Sequence, residues 1–211
     1  MAVKDKPQAP KRRRRVDGEA SRTRILDAAT EIASERGYEG TSIALVSAKC
    51  GLPASSIYWH FKDKDDLIAA VIERSFAHVL SAWQMPDEGT ARERLVTMVL
   101  QIGKALLDSP DFLRLGLMLA LERRPVEPRA RAMFIDVRAQ MYSTLCTTAR
   151  ELFPELTDAQ IHQLATYAMA GADGLFIAKE IGGDSVDVPA LFEMHAAALY
   201  DSAVRMVAGS K

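Results

Sequence analysis

The sequence lacks the features that mark membrane, secreted and metal-binding proteins. No run of 18 or more apolar residues occurs, and no apolar segment of a secretory signal follows the basic N-terminus. The two cysteines, Cys50 and Cys146, lie far apart and show no metal-ligand spacing with the four histidines. We therefore expect a cytoplasmic protein without a membrane-spanning helix or a metal site, with two reduced, mostly buried thiols.

The sequence also lacks the short motifs of common enzyme classes. Neither the nucleophile motif Gly-x-Ser-x-Gly nor a glycine-rich phosphate loop is present. No segment shows sustained strand alternation, and no internal repeat occurs. These absences argue against an enzyme and predict no cofactor.

Charge is distributed unevenly along the chain. Residues 1–67 hold 13 Lys and Arg against 10 Asp and Glu, whereas residues 68–211 hold 14 against 18. Basic runs are attracted to phosphate backbones whatever the base sequence. The strongest basic run consists of Lys11 and four arginines, Arg12, Arg13, Arg14 and Arg15. We interpret it as an arm that binds phosphate or the minor groove, the alternative being a solvated tail that aids solubility.

Helical periodicity and helix start and stop residues predict an all-α fold of about nine helices. Residues 1–18 are predicted to form a flexible basic arm, residues 19–67 a helix-turn-helix domain, and residues 68–211 a larger helical domain. The predicted helices cover about 19–37, 43–50, 54–60, 64–83, 91–107, 110–122, 129–153, 158–181 and 189–207.

The most informative segment is residues 41–67. It contains two short helical patterns joined at Gly51, which tolerates a positive φ, followed by an aromatic run and a new helix start at Asp63. This length and punctuation are typical of a helix-turn-helix, which places its second helix in the DNA major groove.

Residues 22–70 carry a set of motif residues at fixed offsets. They are Ile25–Ala29, Gly37–Tyr38, Thr41–Ser42, Gly51–Leu52, Ile57–Phe61 and Lys64–Leu67. With these residues the segment resembles the tetracycline-repressor (TetR) family of bacterial transcription regulators. The resemblance implies a three-helix DNA-binding domain and a helical ligand-binding and dimerisation domain, with a homodimer formed through the last two helices. It also implies a repressor that leaves a pseudo-palindromic double-stranded DNA operator when a small-molecule effector binds.

Candidate DNA contacts are small hydroxyls, aromatic residues and cations near the third helix. The chain departs from the family at Pro53, where a capping serine is frequent, and at Ala54, where a basic residue is common. We therefore expect Lys49, Lys62 and the arm to supply more of the phosphate attraction. In the alternative interpretation Tyr58 and Trp59 cover the edge of the core, and His60 is a structural histidine. Thr41 and Ser42 then only cap a helix. The candidates beyond the arm are Thr41, Ser42, Ala54, Ser55, Ser56, Tyr58, Trp59, His60 and Lys64.

Candidate ligand contacts are apolar side chains in the C-terminal helices. Methionine-rich walls adapt to varied apolar ligands, although such residues are more often plain core. The candidates are Phe76, Trp83, Met98, Phe112, Leu115, Met118, Leu119, Phe134, Arg138, Met141, Tyr142 and Phe176, with Leu145 in addition. Polar groups that would orient a ligand are His78, Glu122, Arg138, His162 and Asp173.

Two other functional classes fit a helical chain of this length. One is a dimeric interaction module that binds protein partners and only resembles a repressor. The other is a small helical enzyme whose site is the C-terminal cavity. The first predicts no DNA binding even at low salt, and the second predicts turnover of a bound ligand.

Overall fold

A computed structural model describes residues 11–81, 83–122 and 128–209, with the side chains of residues 11–17 outside that description. Within these ranges the regular secondary structure is helical, which confirms the predicted fold class. The chain divides into two compact units, Met1–Val71 and Ile72–Lys211. The helices are α1 Lys11–Gly40, α2 Ile43–Cys50, α3 Ala54–His60, α4 Lys64–Ser81, α5 Ala91–Asp108, α6 Asp111–Leu121, α7 Arg129–Leu152, α8 Asp158–Gly182 and α9 Val188–Gly209, with a 3-10 turn at Gly183–Ser185.

The start of α1 corrects one expectation. The helix begins at Lys11 rather than near Glu19, so residues 11–18 are helical instead of forming part of a flexible arm. Lys and Arg are good helix formers, and their long side chains lose little freedom in a helix. Residues 1–10 of the expected arm lie outside the described residues.

The core of the first unit is formed by α1, α2, α3 and the start of α4. Ile25, Val46, Ile57 and Leu67 are fully buried there. Gly37 interrupts α1 with a φ of 68° and a ψ of −175°, and one further turn reaches Gly40. This interruption agrees with the helix stop that the sequence predicts at Gly37.

In the second unit, capping boxes begin two of the helices. Thr90 caps α5 and Thr157 caps α8, and in each case the side chain three residues later accepts a hydrogen bond from the backbone of the capping residue. A capping box satisfies amide groups that would otherwise lack partners at the helix start. Helix α4 ends at Ser81, two residues before the predicted end at Trp83.

Three helical glycines of the second unit each lie against an aromatic ring. A Cβ at Gly103 would meet the ring of Phe192, one at Gly116 would overlap Phe134, and one at Gly171 would overlap His195. The missing side chains therefore let α5, α6 and α8 accept these rings directly on the helix backbone. No helix in the described ranges has the length and hydropathy that a membrane crossing requires.

Candidate nucleic-acid interface and ligand cavity

The turn between α2 and α3 is fixed by local hydrogen bonds. The Ser42 side chain accepts from the backbone N–H of Leu45 at 3.3 Å and caps α2. Gly51 then adopts the left-handed conformation, with a φ of 68° and a ψ of 21°, and donates its N–H to the Ser47 carbonyl. The Ser47 hydroxyl donates to the carbonyl of Leu52 at 2.7 Å. These contacts set the direction in which α3 leaves the turn.

Helix α3 exposes an aromatic and hydroxyl face. Ile57 is fully buried and fixes the inner side of the helix, while Tyr58 and Trp59 are 56% and 75% exposed on the outer side. Large exposed aromatic rings are a feature of binding surfaces. A shallow groove between α1 and α3 is lined by Gly18, Ser21, Ser55, Ser56, Trp59 and His60.

The N-terminus of α3 has no side-chain cap, as the sequence predicts. Pro53 occupies the capping position and makes no side-chain hydrogen bond, and Ala54 is half-buried behind it. Amide groups at a helix start favour hydrogen-bond acceptors such as phosphate oxygens. This short helix carries six of the predicted DNA contacts: Ala54, Ser55, Ser56, Tyr58, Trp59 and His60.

Two predicted contacts are already engaged within the protein. Thr41 is buried, and its hydroxyl donates to the Gly37 carbonyl at 2.8 Å, so it does not belong to the exposed surface. The Lys64 ammonium donates to the Tyr38 carbonyl at 3.2 Å and lies 4.2 Å from the Tyr38 ring centroid. Glu39 lies 3.6 Å from the same ammonium. Lys64 therefore has only part of its charge available for a phosphate.

The other cations near α3 differ in whether their charge is available to a phosphate. Lys49 forms an ion pair with Glu31, whereas Lys62 is exposed. The side chains of Arg12–Arg15 lie outside the described residues. Helix α1 also contributes an exposed arginine that sequence analysis missed. This residue is Arg22, whose guanidinium carbon lies 5.4 Å from the centroid of the Phe61 ring.

Arg22 also influences the histidine at the end of α3. Burial, and then the nearby charge of Arg22, lower the pKa of His60. A phosphate at this position would counteract the Arg22 charge and favour protonation of the ring. Arg22 lies three residues before buried Ile25, on the same side of α1. This spacing is the sequence signal that could have placed Arg22 next to α3.

The candidate ligand site is an apolar cavity within the second unit. Its volume is about 70 Å³, measured as the space that the centre of a water molecule can occupy. Its walls come from α5 to α9 and from the segment after α4. They consist of Trp83, Leu95, Met98, Val99, Ile102, Leu106, Leu113, Arg138, Met141, Leu145, Thr148, Ala149, Leu152, Phe153, Leu164, Ala165, Ala168, Met169, Ala172, Asp173, Phe192, His195 and Leu199.

Few polar groups reach the walls of this cavity. Arg138 donates from both terminal nitrogens to the two carboxylate oxygens of Asp173, at 2.7 and 2.6 Å. The Nε2 of His195 lies 3.1 Å from the Ala168 carbonyl, and burial lowers the pKa of the ring. The ion pair balances its own charge, and the histidine is held mainly in its neutral form.

Most of the predicted ligand contacts do not line the cavity. Trp83, Met98, Arg138 and Met141 line it as predicted, together with Leu145 and Asp173. The other eight predicted residues do not line this cavity, because helix packing turns them elsewhere. They are Phe76, Phe112, Leu115, Met118, Leu119, Phe134, Tyr142 and Phe176.

Specific contacts account for several of these eight residues. Phe112 lies between Phe76 and Phe134, with ring centroids 5.8 and 5.4 Å apart, and the three rings form a separate buried cluster. Met118 is half exposed. The Tyr142 hydroxyl lies 2.8 Å from the Nδ1 of His162, at the surface. His78, Glu122 and His162 likewise do not line the cavity.

Comparison with known proteins gives one family match and partial matches to known regulators. Residues 25–71 match the model for the bacterial regulatory proteins of the tetR family. An HTH-type transcriptional repressor of Mycobacterium tuberculosis is 31% identical over 100 residues, which are 47% of this chain and 38% of that protein. The regulator UidR of Escherichia coli is 36% identical over 73 residues, 35% of this chain and 37% of UidR. The chain thus spans well under half the length of these relatives.

Solved structures match most of the chain at low identity. A transcriptional regulator from Aquifex aeolicus is 22% identical, with a TM-score of 0.67 over 85% of this chain and 98% of that one. The regulator FadR from Bacillus subtilis, solved in complex with stearoyl-CoA, is 18% identical. Its TM-score is 0.68 over 84% of this chain and 96% of FadR. These structures share the fold of the chain.

Proposed function

We propose that the chain is a ligand-responsive transcriptional repressor, because residues 25–71 match the model for the bacterial regulatory proteins of the tetR family. Its operator is a pseudo-palindromic site in double-stranded DNA. The observation that carries this proposal is helix α3, which leaves the Gly51 turn with Tyr58 and Trp59 on its exposed face. A second helix presented in this way is the element that enters the major groove in helix-turn-helix proteins.

In this proposal the contacts of the interface fall into two kinds. Ser55, Ser56, Tyr58 and Trp59 contact base edges and sugars, because they occupy the exposed face of α3. Phosphates are bound by His60, Lys62, Lys64 and Arg22, with Ser42 at the start of α2. Arg12–Arg15 contribute further positive charge from the first turns of α1.

The DNA proposal is tested by selecting binding sites from random duplexes and measuring affinity by fluorescence anisotropy. An enriched palindrome is expected, with half-sites about one helical turn apart or a multiple of it. Tyr58→Ala and Ser56→Ala should weaken binding to that site by about tenfold and binding to random DNA by less. Ser34→Ala, the same truncation in α1 away from the groove, is the matched control. Recovery of no palindrome, with no binding at low salt, would favour a protein-interaction module.

Phosphate-binding residues are identified by the dependence of affinity on salt. Replacing Arg12–Arg15 with alanine, or Arg22 alone, should weaken binding to all sequences alike. The slope of log affinity against log salt should fall by about 0.9 for each phosphate that the variant no longer neutralises. An unchanged slope would assign the arginines of residues 12–15 to solubility instead.

We propose that the functional unit is a homodimer formed through α8 and α9. This proposal is supported by exposed large apolar residues on those two helices, since clusters of this kind mark interfaces. They are Tyr167, Ile177, Ile181, Met194 and Val204. Packing two helices from each of two copies would bury them in a four-helix arrangement.

Light scattering tests the dimer. Ile181 is 84% exposed. Replacing it with Glu should give monomers that bind the palindrome more weakly. Leu121→Glu is the control, because Leu121 is 78% exposed on α6 and lies outside the proposed interface. A dimer that survives Ile181→Glu and Met194→Glu together would move the interface elsewhere.

The cavity of the second unit is the proposed effector site. A small molecule there controls DNA binding only through its difference in affinity between the DNA-binding and released forms. A hundredfold release requires about 2.7 kcal/mol of coupling. Mass spectrometry of the purified protein tests for a bound molecule. Adding that molecule to the protein–DNA complex should release the DNA, and chemical turnover of it would favour the enzyme alternative instead.

A further inference from the structure

The indole nitrogen of Trp83 is a buried donor in need of an acceptor. Among the described residues, no other buried side-chain nitrogen or oxygen lacks a hydrogen-bond partner. Native proteins nearly always satisfy such groups, and a buried tryptophan N–H usually finds a partner. Trp83 also lines the cavity, so a molecule in that cavity is placed to supply the acceptor.

The other cavity walls determine the charge that such a molecule can carry. Arg138 and Asp173 satisfy each other through two hydrogen bonds, which leaves no unbalanced charge on this part of the wall. His195 is buried beside the Ala168 carbonyl. The remaining wall is mainly aliphatic, from Leu95 on α5 to Leu199 on α9, and Thr148 adds one hydroxyl to it. A buried charged group without a partner is strongly unfavourable, so an ionised ligand is a poor match.

From these contacts we infer that the cavity takes an uncharged, largely apolar molecule whose one hydrogen-bond acceptor receives the indole N–H of Trp83. This inference rests on the proposed effector site and specifies the chemical class of the effector. Trp83 selects for the acceptor, and the aliphatic wall binds the remainder. A water molecule is a weaker alternative, because a buried water needs two to four polar partners.

The inference is tested by calorimetry on the full chain with three probes of similar size. Butyrophenone carries a carbonyl, butylbenzene lacks any strong acceptor, and 4-phenylbutyrate carries a negative charge. Butyrophenone should bind about tenfold more tightly than butylbenzene, the value of one hydrogen bond, and 4-phenylbutyrate should bind most weakly. Since this comparison uses the unmodified protein, it does not depend on the folding of any variant.

Two matched variants locate the donor. Trp83→Phe keeps an aromatic ring but removes the N–H, so the preference for butyrophenone over butylbenzene should disappear. The smaller ring changes the wall for both probes alike, so the ratio of the two affinities is the measured quantity. Trp59→Phe makes the same change at the exposed tryptophan of the first unit and should leave all three affinities unchanged. A preference for the ketone that persists in Trp83→Phe would overturn the assignment.

Other results would also overturn the inference. They are equal binding of butyrophenone and butylbenzene, tightest binding of 4-phenylbutyrate, or no binding of any probe. Failure of the proposed repressor function is a different result, because DNA binding is measured without probes. A probe that binds as expected but does not release DNA would refute effector control and leave the ligand class intact.

Discussion

Helix α3 and the apolar cavity of the second unit are built by different physical means. Helix α3 is oriented by contacts within about ten residues, from the Ser42 cap to the left-handed Gly51. The cavity is assembled from five helices and the segment after α4, and the rings of Phe192 and His195 in its wall pack on glycines. A local turn tolerates changes elsewhere, whereas a packed wall depends on many distant neighbours. Substitutions should therefore affect the two regions separately and to different degrees.

The largest effect should come from the aromatic cluster of the second unit. Phe112→Ala removes the ring between Phe76 and Phe134, and we expect a loss of about 3–5 kcal/mol in the free energy of unfolding. Urea unfolding followed by circular dichroism measures it. Leu121→Ala, at an exposed position, should change stability by less than about 0.5 kcal/mol. A similar small change for Phe112→Ala would show that the second unit is loosely packed.

The next effect should distinguish two glycines of α8. Gly171→Ala places a methyl group against the His195 ring, so we expect a loss of about 1–3 kcal/mol and weaker binding of cavity ligands. Gly174→Ala has open space around it within one protomer, so it should lower stability by less than Gly171→Ala. Thermal unfolding of both variants gives the comparison. Equal shifts at the two positions would mean that the close approach of His195 is unimportant.

A smaller effect is expected at the turn of the first unit. Gly51 has a φ of 68°, and an alanine there should cost about 1–2 kcal/mol. Gly51→Asn should cost less, since asparagine adopts this conformation more readily. Because the turn orients α3, DNA affinity should fall in the same order while ligand affinity stays constant. Loss of ligand binding in Gly51→Ala would contradict the independence of the two regions.

The smallest effect concerns pH. Burial lowers the pKa of His195 below its ordinary value of 6.5, so the unfolded chain binds more protons than the native protein between the two pKa values. The contribution of His195 to the free energy of unfolding is therefore fully present above pH 6.5 and is lost as the pH decreases toward the native pKa. His60, whose pKa is also lowered, adds an effect of the same sign in the first unit. Unfolding measured from pH 7.5 to 5 should show a shallower decline in His195→Gln than in the unmodified protein, and an equal decline in both would contradict the effect of burial.

The sequence predicted the fold and the exposed face of α3 because their determinants are local. Gly51, the buried Ile57 and the capping Ser42 act within a few residues, and helix periodicity gave the order of the helices. The beginning of α1 was missed because a basic run is compatible with both a solvated arm and a helix. The burial of Thr41 could not be predicted, because a hydroxyl at a helix start does not indicate whether the core covers it.

The cavity was predicted only in part because residue type does not determine where a side chain points. Phe112 and Phe134 are large and apolar, as expected for a wall, but the space over Gly116 draws Phe134 into another cluster. Smaller residues such as Ala168 and Ala172 line the cavity instead. Their role follows from the packing of α7, α8 and α9, which depends on contacts far apart in the sequence.

The two tryptophans give the protein a separate optical reporter for each region. The chain contains only Trp59 and Trp83, one 75% exposed on α3 and the other with its indole nitrogen buried at the cavity. Their fluorescence should differ, with red-shifted emission from the solvated ring and blue-shifted emission from the enclosed one. Single-tryptophan proteins therefore allow operator binding and effector binding to be followed independently, without an added label. Simultaneous titrations would show in real time whether filling one site empties the other.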